Sequence, residues 1–247
     1  MMTSPESTGS ANIAVKHYAD GLVITIDGPA GAGKTTISKK LADHLNYRYI
    51  DTGALYRAVA FEACKIGITS DNDDGLESLL SGIVLDFKPS SKGLRLYSNG
   101  EDISDFIRTP KITMLASKTS AREPVRRFLL DIQRKFAEGK RVIFEGRDMG
   151  TVVFPDADIK FFLMASCKTR AVRRFEQMAG QNDQTLAQVE KEMRLRDTND
   201  SQRNLAPLVP AKDAVLIDST QLSLEQVTEA MLRHIHRIWP SSDATFP

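Results

Sequence analysis

The octapeptide Gly28-Pro29-Ala30-Gly31-Ala32-Gly33-Lys34-Thr35 constrains this chain more than any other stretch of it. It meets every fixed position of G-x-x-x-x-G-K-[ST], and its setting is right. The apolar run Leu22-Val23-Ile24-Thr25-Ile26 precedes it, and Ile37, Leu41 and Leu45 follow at helical spacing. Glycines here let successive backbone N–H groups converge on an anion, and the N-terminus of the next helix adds partial positive charge. Gly28 through Thr35, with Thr36, are therefore expected to bind the phosphates of ATP. Lys34 can reach the β- and γ-phosphates, and the Thr35 hydroxyl can ligate Mg2+ together with ATP phosphates and waters.

Further along, strands and helices alternate. Val142-Ile143-Phe144, Ile159 to Met164 and Ala214-Val215-Leu216-Ile217 read as buried strands, and Val227, Met231, Ile235 and Ile238 mark a last helix. Such alternation predicts an α/β fold with a parallel sheet covered by helices on both faces. Residues 82–107 break the rhythm. Val84 to Phe87 and Leu94 to Tyr97 alternate, and Asn99-Gly100 is a tight-turn signal, so a small antiparallel insertion is expected there. The following helix turns Val125, Phe128, Leu129, Ile132 and Phe136 inward and is expected to leave Arg126, Arg127 and Arg134 on its other side. Residues 1–20 and 240–247 lack periodicity and read as loose tails.

Several functions are disfavoured by composition. With 33 Lys+Arg against 32 Asp+Glu the formal net charge is +1, which gives no global field to recruit nucleic acid or an acidic membrane. The phosphate loop alone leaves the reaction open. A regulatory GTPase would need an N-K-x-D guanine reader, which is missing, and helicase-type motifs are missing too. No apolar run reaches the roughly 20 residues that span a bilayer, and the first residues do not read as a signal peptide. Cys64 and Cys167 read as reduced, buried thiols, consistent with an expected cytoplasmic location. His44, His234 and His236 match no motif and read as structural or exposed.

Three more clusters point to a small-molecule acceptor: Asp51-Thr52-Gly53-Ala54-Leu55-Tyr56-Arg57, Glu145-Gly146-Arg147-Asp148-Met149-Gly150, and Arg196-Asp197-Thr198-Asn199-Asp200-Ser201-Gln202-Arg203 followed by Ala206-Pro207-Leu208-Val209-Pro210. The first two lie at the ends of expected strands, where open parallel sheets bind ligands. Taken in this order, the motifs from about Leu22 to Trp239 resemble those of bacterial cytidylate kinases. The resemblance implies a P-loop kinase domain over residues 21–239, with a nucleoside-monophosphate-binding insertion at about 67–122 and a short lid at about 167–181. It implies transfer of the ATP γ-phosphate to CMP or dCMP with Mg2+, by a protein expected to be a monomer.

The resemblance also carries residue roles. Arg57, Arg147 and Arg203 would hold the CMP phosphate, since a guanidinium fork matches phosphate oxygens. Arg196 and Asp200 would meet the ribose, partly pairing with each other, and Thr52, which keeps a hydroxyl where some relatives have Ser, would also bind CMP. Ser117, Arg126 and Asp148 would read the cytosine edge. A carboxylate at Asp148 accepts from the N4 amino group of cytosine and repels the oxygen of uracil. Lys34, Arg147, Arg203 and a lid arginine, Arg174, would neutralise charge during transfer, with no dedicated general base. Arg170 and Arg173 belong to the same basic lid segment, Lys168 to Gln181. A kinase acting on UMP, AMP or a non-nucleotide metabolite is the competing expectation.

Overall fold

The computed structural model describes residues 21–91, 93–178 and 184–240. The expected tails at 1–20 and 241–247, and Ala179-Gly180-Gln181 of the expected lid, lie outside the described residues. β1 (Val23–Asp27) leads through the glycine-rich loop into α1 (Lys34–Leu45), and β2 (Arg48–Asp51) leads into α2 (Thr52–Lys65). The alternation is then interrupted by α3 (Asp73–Gly82), the strands β3 (Leu85–Ser90), β4 (Gly93–Ser98) and β5 (Glu101–Asp102), and α4 (Pro110–Thr119). α5 (Glu123–Lys135), β6 (Val142–Glu145), β7 (Ile159–Met164), α6 (Cys167–Gln177), α7 (Leu186–Gln202), β8 (Val215–Asp218) and α8 (Leu224–Ile238) complete it.

The main sheet has the order β2-β6-β1-β7-β8, and every pairing in it is parallel. Parallel strands need helical crossovers, which cover both faces, and this is why the strands read as continuous apolar runs. β1 lies centrally between β6 and β7, so the ends of all three converge on the glycine-rich loop. The expected antiparallel insertion forms a separate sheet, β3-β4-β5, with Asn99-Gly100 in the turn between β4 and β5.

Two large apolar clusters divide the molecule. One packs β1, β7, α1 and α8 through residues such as Ile24, Ile37, Phe161, Met231 and Ile235. The other packs α2 against α3, α4, α5 and the small sheet through Leu55, Val59, Leu76, Leu96, Ile112 and Leu129. A smaller cluster at Ile50, Phe144 and Met149 lies under β2 and β6.

Local differences from the expectations share a cause. Three strands run one residue further than their apolar cores, to Asp27, Glu145 and Asp218. The backbone of each acid stays in the ladder while its carboxylate accepts a hydrogen bond beyond it, Asp27 from the turn after β6, Glu145 from Thr35 on α1 and Asp218 from its own following loop. On α5, Arg127 is exposed beside Glu77 and Glu123, as expected for an outer face. Arg126 is not on that face: its guanidinium bonds Asp148, buried with it. α7 carries little apolar patterning, and its start is fixed instead by a reciprocal cap between Thr185 and Gln188.

Candidate active site

Close packing explains the first glycine of the phosphate loop. Gly28 has φ +142°, and a Cβ there would lie 2.0 Å from the Leu163 carbonyl oxygen on β7. Only glycine lets the chain leave β1 at this angle. Gly33 caps α1 with φ 96°, which aims the first-turn N–H groups back into the loop. The Lys34 ammonium is buried and donates to the Pro29 carbonyl at 2.8 Å, so it already lies across the loop. Burial, then the nearby charge of Arg147, pushes its pKa down to about 7.

Thr35 and Glu145 meet at the ends of neighbouring elements. The Thr35 hydroxyl donates to Glu145 Oε1 at 2.9 Å, and Tyr49 from β2 donates to Oε2 at 2.5 Å. Burial, followed by the charges of Asp51 and Glu145, raises the Tyr49 phenol, so it stays a donor. A hydroxyl beside a carboxylate, both oxygen donors, suits a hard divalent cation such as Mg2+. Thr36 is exposed on the first turn of α1.

Across the cleft, the arginines converge. Arg57 is held by Asp51 at 2.7 Å; Asp51 also caps α2 and lies 3.5 Å from Arg108. Arg147 donates from Nε to Asp200 at 3.3 Å and from Nη1 to the Gly146 carbonyl at 3.0 Å. Arg196 reaches the same Asp200 oxygen at 4.0 Å, the partial pairing expected of this pair. Burial, then repulsion from Arg147, lowers the Arg196 guanidinium to about 10. Arg57 Nε, Arg196 Nε and Arg203 Nη2 are buried without a hydrogen-bond partner. Buried donors left unpaired are costly, and several in one cluster mark a place where an anion would satisfy them.

Asp148 is buried, bonded to Arg126 and 3.8 Å from Arg203 Nη2. Ser117 lines a cavity of about 330 Å³ together with Arg122, Asp200 and Arg203. The buried Thr52 hydroxyl donates to the Glu145 carbonyl at 2.7 Å, fixing the start of α2 against β6. The expected lid arginines part company. Arg174 is exposed on α6, near enough to Arg196 to lower it. Arg173 bonds Ser219. Arg170 is buried, with a bidentate pair to Asp197 on α7 and a bond to the Ala30 carbonyl, so it is a structural pin.

Glu145 and Asp51 lie within the sequence motifs but carry no expected role, and Asp27 and Tyr49 are not among the expected site residues. The available signal was position: each acid is the last residue of a strand of the main sheet. Both cysteines are free thiols, and His44 bonds the Lys40 carbonyl while His234 packs edge-on to Phe161.

The family model described as cytidylate kinase matches residues 24–237, which span both sides of this cleft. The chain belongs to the cytidylate kinase family. Among relatives named cytidylate kinase, that of Geobacter sp. (strain M21) is 48% identical, the match covering 87% of this chain and 93% of the relative. That of Geobacter sulfurreducens is 50% identical over 85% and 91% of the two chains. A more distant one, from Ligilactobacillus salivarius, is 44% identical over 87% and 96%. The family's match thus takes in the phosphate loop, the arginine cluster and the small antiparallel sheet between them.

Proposed function

We propose that this protein transfers the γ-phosphate of ATP to CMP or dCMP, giving CDP or dCDP and ADP, in pyrimidine nucleotide metabolism. One observation carries the choice of acceptor side: Arg57 Nε, Arg196 Nε and Arg203 Nη2 are buried without a hydrogen bond, in an arginine cluster whose charge reaches Lys34 of the phosphate loop. A nucleotide monophosphate would satisfy them, and the neighbouring Asp148 carboxylate would accept from the N4 amino group of cytosine.

In this reading an oxygen of the CMP phosphate attacks the γ-phosphorus in line, the new P–O bond forming as the bond to the β-bridging oxygen breaks and ADP leaves. Arg57, Arg147 and Arg203 orient the attacking phosphate, while Lys34 and Arg174 offset charge on the transferred group. Asp200 and Arg196 meet the ribose, with Ser117, Arg126 and Asp148 at the base and Thr52 steadying the start of α2. No carboxylate needs to act as base, since a phosphate monoester is already ionised near neutral pH. Mg2+, when bound by Thr35 with ATP phosphates and waters, would supply further positive charge and fix the phosphates' geometry. Glu145 holds the Thr35 hydroxyl in place for it.

The segment at about 67–122 would serve as the monophosphate-binding subdomain and that at about 167–181 as a lid excluding water. No helix among the described residues is long and apolar enough to cross a membrane. In this reading the protein is a cytoplasmic monomer that binds nucleotides and no nucleic acid, and the +1 net charge gives no global field to recruit the latter. A coupled ADP-release assay with Mg-ATP against CMP, dCMP, UMP, AMP and shikimate tests the proposal. Turnover led by CMP and dCMP supports it, whereas turnover led by another acceptor removes the base assignment and keeps the kinase.

A further inference from the structure

Asp27 belongs to neither group of residues expected to touch substrate, yet its side chain joins them. It is the last residue of β1, directly before Gly28 of the phosphate loop. Its Oδ1 accepts from the Met149 N–H at 2.9 Å and its Oδ2 from the Gly150 N–H at 2.8 Å. Those two amides open the tight π-helical turn Met149–Val153, which begins immediately after Arg147 and Asp148. We infer that Asp27 is a positioning residue, holding the monophosphate-reading turn in register with the phosphate loop and so governing CMP affinity and base choice without touching either substrate. This rests on the assignment of Arg147 and Asp148 to CMP.

Backbone bonds from Val152 and Val153 to the Asp148 carbonyl and a bond from Arg134 to the Val153 carbonyl hold the far end of the turn, while Asp27 takes the two amides at its start. A Cβ on Gly150 would lie 3.1 Å from Thr25 Oγ1 and 3.2 Å from Lys160 Cδ, so the turn already sits tightly on β1 and β7. A Cβ on Gly146 would fall 2.5 Å from Met149 Cγ. With both sides packed, the two amides cannot slide to other acceptors, and a carboxylate matches them because each of its oxygens takes one. An asparagine supplies one oxygen and turns an NH2 toward the second N–H.

The charge of this carboxylate is held at a cost. Asp27 is buried, and desolvation pushes its pKa up from 3.8 to about 6, against the two amide bonds that pull it down. The charged groups facing it are Lys34 at the start of α1 and Asp148 beside the turn. A folded-state value above the unfolded one means that the group favours folding most below about pH 4 and loses that contribution as pH rises through 6. At neutral pH the ionised form therefore works against stability, and what it provides is the fixed pair of amides.

The test compares wild type with Asp27→Asn, measuring CMP binding by calorimetry without ATP and KM for CMP and ATP in turnover. The expected result is a rise of about tenfold or more in the CMP constants, the scale of a lost charge-assisted hydrogen bond. The CMP:UMP preference falls with it, while the KM for ATP changes by less than about twofold. Between about pH 8 and pH 5.5 the gap in CMP affinity narrows, because wild-type Asp27 gains its proton there. Titration of the CMP phosphate itself cancels in the comparison. Equal changes in both KM values or no change in CMP binding overturn the inference. If Asp27→Asn does not fold, Asp27→Glu decides, since it keeps the charge and displaces the carboxylate from the two amides: weaker CMP binding with an unchanged KM for ATP supports the inference, and unchanged CMP binding overturns it. A wild type that prefers a different monophosphate overturns the substrate assignment alone, and the comparison then runs on that monophosphate.

Discussion

Arg126 on α5 and Asp148 after β6 form a hydrogen-bonded ion pair across the cleft, their side chains 11% and 3% exposed. The pair joins the half of the molecule built around α2 to the half built around the main sheet. Removing one member of such a pair strands the other in a poorly solvated site. Asp148→Asn is expected to lower the CMP:UMP ratio of kcat/KM by about tenfold or more, since it removes the charge that repels uracil. The KM for ATP is expected to hold. Parallel kinetics on CMP and UMP check this, and an unchanged ratio removes Asp148 from base recognition.

Glu145 has a separate consequence. Its carboxylate accepts from Thr35 and Tyr49, whereas its backbone carbonyl accepts from Thr52 of the expected CMP site, a contact that a side-chain substitution leaves in place. Residues that orient a metal-bound oxygen typically alter metal affinity by roughly 10–100-fold. Glu145→Gln is expected to raise the Mg2+ concentration for half-maximal activity by that order while leaving CMP binding intact. A Mg2+ titration at saturating ATP reads this directly.

Lys34, held down at about 7 mainly by burial, is mostly neutral at about pH 8 in the free protein. A triphosphate brings negative charge that restores its proton. Nucleotide binding at about pH 8 is therefore expected to take up close to one proton, seen as a binding enthalpy that changes with buffer ionisation enthalpy, and Lys34→Met is expected to lose the uptake. The same shift fixes the sign for stability. Between about 7 and 10.5 the unfolded chain holds this proton and the folded chain does not, so stability from this group rises with pH across that window.

Arg170 and Arg174 lie one helical turn apart on α6 and predict opposite phenotypes. Arg170→Ala strands Asp197 and frees the Ala30 carbonyl, so it is expected to destabilise the fold by roughly 3–5 kcal/mol. Arg174→Ala is expected to leave the melting temperature unchanged and to lower kcat by roughly 100-fold with near-normal CMP binding. Thermal melts beside steady-state kinetics separate the two.

Much of the architecture was legible in the sequence for a physical reason. Parallel strands buried on both faces must be apolar throughout, and a phosphate loop must spell out its glycines, so both leave local marks. Glu145 is different, since its tie to Thr35 joins residues 110 apart in sequence and no local pattern records it. Arg126 was placed on the outer face because helical spacing shows where apolar side chains point, whereas a buried arginine follows its partner's charge. Arg170 reads as part of the lid because it lies in a short basic segment, and composition does not show which arginine of such a segment is buried. Its partner Asp197 is on α7, a helix that its caps mark better than its apolar spacing.

The two apolar clusters bear on how this protein comes apart. Each encloses its own set of helices and strands, and polar groups carry much of the cleft between them. Amide exchange is then expected to resolve two opening units, with the half around α3, α4 and the small sheet exchanging earlier than β1 and β7. A bound monophosphate touching arginines from both halves acts as a reversible cross-link, drawing the two openings into one cooperative event.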